Sequence, residues 1–130
     1  MIALVDTISS ILYKLVNDSL IAGLAVNNPP QKEPHGIPIW IATDGVHLFF
    51  YSQKNSKKIK LLRENFHCTI IFLYGFVKGT CTLINKTETR FQHYFKVFDP
   101  RYAVEDDYKM YKSLWDVLVL IEPKRIKTFY

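Results

Sequence analysis

The segment Leu48–Phe72 reads LFFYSQKNSKKIKLLRENFHCTIIF, and its pattern is the strongest indication of the architecture. It opens with an aromatic, β-prone run that ends at Tyr51-Ser52, and a short polar turn follows. A helix then begins at Ser56, a residue type favoured at the N-cap. A second strand begins near Cys68, so the stretch predicts a strand–turn–helix–strand unit.

The start of that helix predicts a phosphate pocket. The first amides of a helix have no intrahelical partners, and the helix dipole places partial positive charge beside them. Lys57 and Lys58 add two full charges in the same turn. This combination suits a phosphate group. The alternative is that both lysines are only solvated, but lysines in a first turn oppose the dipole, and an anion between them would relieve that conflict.

Over the whole chain, hydrophobic periodicity and turn residues predict six or seven strands and a few helices. The predicted strands are Ile21–Asn27, His35–Thr43, Val46–Ser52, Cys68–Leu73, Phe76–Ile84, Trp115–Ile121 and an extension over Arg125–Phe129. The predicted helices are Asp6–Leu20 (capped by Asp6 or Thr7), a helix from Ser56 to near Asn65, Thr87–Phe98 (stopped by Asp99-Pro100) and Glu105–Lys112. Turns are predicted at residues 27–34, at Asp44-Gly45 and at Tyr74-Gly75, and Pro38 suggests an edge strand or a bulge. Strands joined mostly by hairpins favour a mainly β (α+β) fold built as a closed antiparallel barrel.

Length and composition are those of one folded domain over residues 1–130. No apolar run approaches the roughly 20 residues that span a bilayer, and the first residues do not resemble a clear signal peptide. We therefore expect a cytoplasmic protein without membrane contact. The net charge of +5 comes from clusters such as Lys54–Arg63 and Lys124–Lys127, which are either ordinary solvated faces or a sign of a phosphate-bearing ligand.

No nucleophile motif and no metal-ligand spacing is present, so we expect no metal site. Cys68 and Cys81 are expected to be reduced, buried residues that face each other across a hairpin, where a disulfide is conceivable. An enzyme without its own nucleophile often uses the chemistry of a cofactor, and the phosphate pocket indicates where one would be held.

The order of these motifs along the chain resembles the flavin-binding signature of pyridoxamine 5′-phosphate oxidase-like split barrels. In Leu48–Phe72 the similarity rests on the aromatic–Ser pair Tyr51-Ser52, the triplet Ser56-Lys57-Lys58 and Asn65 before the next strand. It extends over nearly the whole chain. The remaining similar segments are Gly23–Val26, Gly36–Trp40, Asp44-Gly45, Val77–Cys81 and Leu118–Arg125. The resemblance implies a six- to seven-stranded antiparallel split β-barrel with flanking helices.

The resemblance also implies a homodimer with FMN held between the two chains. Carried over residue by residue, Ser56, Lys57 and Lys58 would bind the FMN phosphate, and Tyr51 and Ser52 would lie beside the phosphate and the ribityl chain. The strand residues Ile37, Pro38, Ile39 and Trp40 would pass along the isoalloxazine ring. Trp40 and Trp115 are candidates for stacking on the flavin, and packing in the core or at the dimer interface is the alternative for both.

The sequence departs from the oxidase itself at positions that matter for its reaction. Gly36 stands where the oxidase has an arginine for the FMN phosphate, Ile41 where it has a lysine for the substrate phosphate, and Tyr74 where it has a glutamine that contacts the flavin. The C-terminal region that carries the oxidase's substrate-binding arginine and histidine has no counterpart. We therefore expect no oxidation of pyridoxamine phosphate.

The expected function is that of an FMN-binding flavoprotein, an oxidoreductase acting on an unidentified small molecule. One alternative on the same fold is an oxidoreductase that uses an 8-hydroxy-5-deazaflavin coenzyme, and a haem-binding member is a weaker one. A further alternative is a non-catalytic flavin-binding or redox-sensing module. Nucleic-acid binding is not expected, because most aromatic residues fall on apolar faces of strands and helices.

Overall fold

The computed structural model describes residues 2–26 and 35–130, with side chains described for 7–26 and 36–130. The helices are α1 (Ile2–Asn17), α2 (Lys57–Glu64), α3 (Thr89–His93), α4 (Phe95–Tyr102) and α5 (Tyr108–Leu114). The strands are β1 (Ile21–Val26), β2 (His35–Trp40), β3 (Ala42–Thr43), β4 (Leu48–Ser52), β5 (His67–Phe72), β6 (Gly75–Asn85) and β7 (Val117–Thr128).

The seven strands form one antiparallel sheet in the order β2-β1-β5-β6-β7-β4-β3. Its two end strands, β2 and β3, are separated in the chain by Ile41 alone, so the two ends of the sheet meet and the sheet curls into a barrel. The predicted mainly β barrel with flanking helices is confirmed. Pro38 lies in β2, at the edge of the sheet order, where its missing N–H costs no ladder bond.

Two hydrophobic clusters lie on opposite faces of β4 and of the first half of β7. Leu48 and Phe50 point into the barrel, while Phe49 and Tyr51 point into a second, aromatic cluster covered by α3, α4 and α5. All five residues of β4 are therefore buried. This double burial explains why the strand reads as a continuous apolar run rather than an alternating one.

Several predicted boundaries are wrong. The predicted strand His35–Thr43 is broken at Ile41, whose backbone N–H donates to the Tyr102 hydroxyl (2.8 Å) and whose carbonyl accepts from it (2.7 Å). The two halves then pair with different strands, β2 with β1 and β3 with β4. The turn predicted at residues 27–34, and the end of the first strand at Asn27, lie outside the described residues.

The helical predictions also need correction. The first helix begins at Ile2, so neither Asp6 nor Thr7 caps it. The predicted helix Thr87–Phe98 is divided at Tyr94, and Pro100 lies inside α4 instead of stopping it. The last helix runs from Tyr108 to Leu114, because Asp107 adopts a left-handed conformation (φ 64°) just before it.

The last two predicted strands are one, β7, with a register shift opposite Lys78 and Gly79. No helix within the described residues is long and apolar enough to cross a bilayer. The cytoplasmic location stays a prediction.

Candidate functional site

An open cavity of about 510 Å³ lies where the edge strand β2, the end of β4, the start of α2 and α5 come together. This volume falls in the range of sites that hold cofactors and small molecules. The described residues that line it are Ile21, Pro38, Ile39, Trp40, Tyr51, Ser52, Gln53, Ser56, Lys58, Tyr111 and Trp115.

One end of the cavity is polar and positively charged. Ser52 is buried at the end of β4, and its Oγ lies 3.4 Å from the Oγ of Ser56. Ser56 occupies the N-cap position of α2, as predicted, but its side chain makes no capping hydrogen bond. The first-turn amides of α2 therefore keep their capacity to bind an anion.

Lys58 places a half-buried ammonium group in this polar end. Burial lowers the pKa of its side chain, because desolvation disfavours the charged form. Among the described carboxylates, none lies within ion-pair distance of it. An anion bound in the cavity would supply the missing counter-charge.

The opposite wall of the cavity is aromatic. Trp40 is partly buried, with its ring stacked on Tyr102 at 4.9 Å and 10°. The edges of Tyr111 and Trp115 meet it at 5.6 Å and 6.4 Å between ring centroids. These rings form a fixed apolar surface of the kind that packs against a planar ligand.

The junction between α5 and β7, next to Trp115, is hydrogen-bonded to the end of β4 and to the turn before α2. The Asp116 backbone N–H donates to the Ser52 carbonyl at 3.0 Å. The Asp116 carboxylate accepts a bond from the Lys54 backbone N–H at 2.7 Å. The helical segment between β6 and β7 thus contributes one wall of the cavity.

Tyr51 lines the cavity, but its hydroxyl is engaged elsewhere. The hydroxyl donates to the Phe91 carbonyl at 2.7 Å, inside the aromatic cluster. The ring stacks on Phe95 at 4.1 Å with an interplanar angle of 2°. Burial raises the pKa of this phenol, so it stays neutral at physiological pH.

The cavity brings together seven of the nine residues predicted to bind the cofactor. These are Pro38, Ile39, Trp40, Tyr51, Ser52, Ser56 and Lys58. The other two do not line it: Ile37 packs against the barrel core, and Lys57 is exposed. The roles assigned to all nine stay predictions.

Sequence reasoning missed Ile21, Gln53 and Tyr111 as lining residues. Gln53 directly follows Ser52, so its place at the end of β4 was a usable signal. Tyr111 carries no such signal, since α5 reaches the cavity only through the packing of the helical segment. Ile41, for which the resemblance implied the position of the oxidase's substrate lysine, is fully buried and is not among the lining residues.

The two cysteines are buried with their Sγ atoms 3.2 Å apart, and both are free thiols. They are close but not directly opposite, because Cys68 pairs with Gly79 and Cys81 lies two residues further along. The hydrogen bond to Cys81 and burial together raise the pKa of the Cys68 thiol. Within the described residues, no three His, Cys, Asp or Glu side chains gather as metal ligands would.

Comparison with known proteins found no matching protein-family model and no curated protein with significant similarity. Solved structures do match over most of the chain. A Listeria innocua protein assigned as a pyridoxamine 5′-phosphate oxidase is 16% identical with a TM-score of 0.67, covering 92% of this chain and 96% of its own. An F420 reductase is 20% identical with a TM-score of 0.65, covering 88% and 94%.

HutZ, the haem storage protein of Vibrio cholerae, is 9% identical with a TM-score of 0.72, covering 93% of this chain and 94% of its own. Proteins whose names mention different ligands thus share one architecture at low sequence identity, so the likeness concerns the fold. The chain has the split-barrel fold of the pyridoxamine 5′-phosphate oxidase-like proteins.

Proposed function

We propose that the chain binds FMN in this cavity and acts as a flavin-dependent oxidoreductase on a small molecule. The observation that carries the proposal is the pairing, in one cavity, of a cationic end at Ser52, Ser56 and Lys58 with an aromatic wall at Trp40. A phosphorylated, ring-bearing cofactor needs both surfaces at once. The flavin-related functions named for neighbours of this fold support a flavin-type cofactor.

In the proposed arrangement the phosphate lies against the first turn of α2. Its charge is matched by the Lys58 ammonium and by the free amides there, and the Ser52 and Ser56 hydroxyls donate to its oxygens. The exposed Lys57 adds long-range attraction. The ring system lies toward β2, along Pro38, Ile39 and Trp40.

Bound FMN would supply hydride or electron transfer, and the chain's residues supply binding and orientation. The hydroxyl of Tyr51 is already engaged with a backbone carbonyl. The aromatic wall excludes water from one face of the site. The described lining residues include no carboxylate and no histidine, so the chain holds the ligand through cations, hydroxyls and rings.

We further propose that two copies form a dimer and share the site. One row of neighbouring residues on the outer face of the sheet crosses β2, β1, β5 and β6. It consists of Pro38, Gly23, Ile71 and Phe76. Ile21 and Ile71 are 55% and 51% exposed on this face. Since Ile21 and Pro38 also line the cavity, a copy packed on this face would border the cofactor.

A deazaflavin coenzyme is the second candidate. F420, the coenzyme named for one neighbour, belongs to this class. The exposed lysines of α2, next to the cavity in the chain, suit a longer anionic tail. A haem site is less well supported, because no described histidine lines the cavity.

The test compares Lys58→Gln with Lys57→Gln, two neutral replacements at adjacent positions, in titrations with FMN and with riboflavin. Lys58→Gln should weaken FMN binding about tenfold or more, since it removes the half-buried charge nearest the proposed phosphate. Lys57→Gln should have a smaller effect, because that side chain is exposed. Quenching of flavin fluorescence measures both affinities.

Riboflavin, which lacks the phosphate, is the internal control, and its affinity should be the same in both variants and in the wild type. Equal loss of riboflavin and FMN would contradict the phosphate placement. Failure of the wild type to retain any FMN, together with tight binding of F420, would replace the cofactor with the deazaflavin.

A further inference from the structure

A second cleft, of about 480 Å³, opens on the outer face of the sheet, and its surroundings are strongly basic. It is lined by Ala25, His67, Cys68, Thr69, Lys78, Gly79, Thr80 and Lys124. Apart from Ala25, which belongs to β1, every lining residue belongs to β5, β6 or β7. It shares no described lining residue with the cavity proposed for FMN.

The sheet register places like charges next to each other beside this cleft. Lys78 on β6 is directly paired with Arg125 on β7, and both side chains are exposed. Directly opposed like charges destabilise a sheet. Among the described carboxylates, none lies within ion-pair distance of either side chain.

A β-bulge adds a third cation to the same place. Lys78 pairs with Arg125 but Gly79 pairs with Pro123, which leaves Lys124 as the extra residue of β7. Gly79 makes the bulge possible, since a Cβ there would lie 2.5 Å from the Glu122 carbonyl oxygen. Bulges commonly redirect a side chain next to a functional site.

The local counter-charge is too small to neutralise this group. Glu122 approaches the Lys124 ammonium at 3.1 Å, and both side chains are more than half exposed, so solvent screens the pair. No described carboxylate pairs with Lys78 or Arg125, and the Lys78 ammonium lies 5.8 Å from the centre of the Phe76 ring. Thr69 and Thr80 are partly buried and also line the cleft, so hydroxyl donors are part of its lining.

We propose that this basic cleft, lined by residues of β5, β6 and β7, binds a small polyanion that carries phosphate groups. Phosphate oxygens accept bonds from ammonium, guanidinium and hydroxyl donors together, and a dianion between Lys78 and Arg125 converts their repulsion into two attractions. The cleft volume of about 480 Å³ is that of a small-molecule site. The proposal does not depend on FMN binding in the first cavity.

The test uses inorganic pyrophosphate as the probe, and isothermal titration calorimetry at low ionic strength measures its binding. The double variant Lys78→Gln/Arg125→Gln should bind it about tenfold more weakly or worse. Lys96→Gln, an exposed lysine on α4 away from the cleft, is the matched control and should bind like the wild type. Lys58→Gln should also retain this binding, which separates the cleft from the first cavity.

The single variant Lys78→Gln gives a second measurement, by thermal unfolding with and without pyrophosphate. It should raise the melting temperature slightly without pyrophosphate, because it removes one of two repelling charges, and it should lower the stabilisation that pyrophosphate gives. Pyrophosphate binding that is lost in Lys58→Gln but kept in the double variant would overturn the proposal. The proposal would also be overturned if the wild type bound no pyrophosphate and the double variant had a different monomer–dimer equilibrium. The cations would then serve the subunit interface.

Discussion

At the scale of single residues, Tyr102 joins parts of the chain that are far apart in sequence. Its hydroxyl accepts from the Ile41 backbone N–H at 2.8 Å, and the carbonyls of Ile41 and Leu20 each lie 2.7 Å away to accept its proton. Its ring supports the indole of Trp40. One side chain from the helical segment therefore ends β2 and fixes the aromatic wall of the cavity.

Buried tyrosines make the stability of the protein sensitive to alkaline pH. Burial raises the pKa of Tyr51, Tyr102 and Tyr108 above the ordinary value of about 10, so the folded chain holds these protons where the unfolded chain releases them. The free energy of unfolding should therefore fall as pH rises above about 10, by up to about 1.4 kcal/mol per pH unit for each such tyrosine.

Urea unfolding at a series of pH values measures this slope, with Tyr102→Phe as the informative variant. At pH 7 the variant should be less stable by about 1–3 kcal/mol, because the buried Ile41 N–H loses its partner. Above pH 10 its slope should be shallower than that of the wild type. Tyr13→Phe, at an exposed helical position, is the control and should keep the wild-type slope. An identical slope in Tyr102→Phe would contradict the assignment.

The contact between Tyr102 and Ile41 could not be predicted from the sequence. The run from His35 to Thr43 has the composition of one strand, and nothing local breaks it. The break at Ile41 comes from a hydroxyl 61 residues away. By contrast, Ser52, Ser56 and Lys58 were predictable, because a strand end, a cap position and a first helical turn are set by neighbours in sequence.

At the scale of elements, the hairpin between β3 and β4 depends on Asp44 and Gly45. The Asp44 carboxylate accepts bonds from the backbone N–H groups of Val46 and His47, at 2.9 Å and 2.7 Å. Gly45 has φ +88°, and a Cβ there would lie 2.5 Å from the Ser9 hydroxyl and 2.8 Å from a ring carbon of Tyr13. The turn thus packs against α1 with no room for a side chain.

Gly45→Ala should therefore destabilise the protein by about 1–3 kcal/mol, because it forces a strained backbone and a displaced α1 contact. Gly36→Ala is the matched control, since nothing lies within 4 Å of the Cβ position there. This change should be neutral or slightly stabilising, because alanine lowers the conformational entropy of the unfolded chain and causes no strain in the folded one. Thermal unfolding of the two variants measures the difference, and equal melting temperatures would contradict this account of the turn.

Helix boundaries in the segment between β6 and β7 were the least predictable elements. Pro100 is a helix-stopping signal in sequence, but Phe98 and Tyr102 on either side of it are buried in the aromatic cluster. Burial of these rings stabilises the helical turn that contains Pro100, so the helix continues through the proline. The strand β4 was predictable even though both its faces are buried, because its apolar run is short and bounded by turn residues.

At the scale of the whole molecule, the exposed apolar rows of the sheet and the open side of the cavity are continuous. We expect Ile71→Lys to shift the protein from dimer to monomer, because it places a charge in the centre of the proposed interface. FMN affinity should fall with it, since Ile21 and Pro38 belong to both surfaces. Sedimentation velocity and flavin titration measure the two effects.

Val104→Lys is the control for that experiment. Val104 is 84% exposed but lies in the turn after α4, away from the sheet face. It should leave both the association state and the FMN affinity unchanged. A wild type that sediments as a monomer, or an Ile71→Lys variant that remains dimeric, would contradict the proposed interface.

The two hydrophobic clusters on opposite faces of β4 have a consequence for how such a chain can diversify. The barrel cluster holds the strands and α2 together, while the aromatic cluster holds α3, α4 and α5, which contribute Tyr111 and border Trp115. Residues between β6 and β7 can therefore vary the shape of one cavity wall while the barrel interior stays the same. Exchanging this segment among split barrels offers a way to alter ligand preference without redesigning the scaffold that presents the phosphate-facing turn.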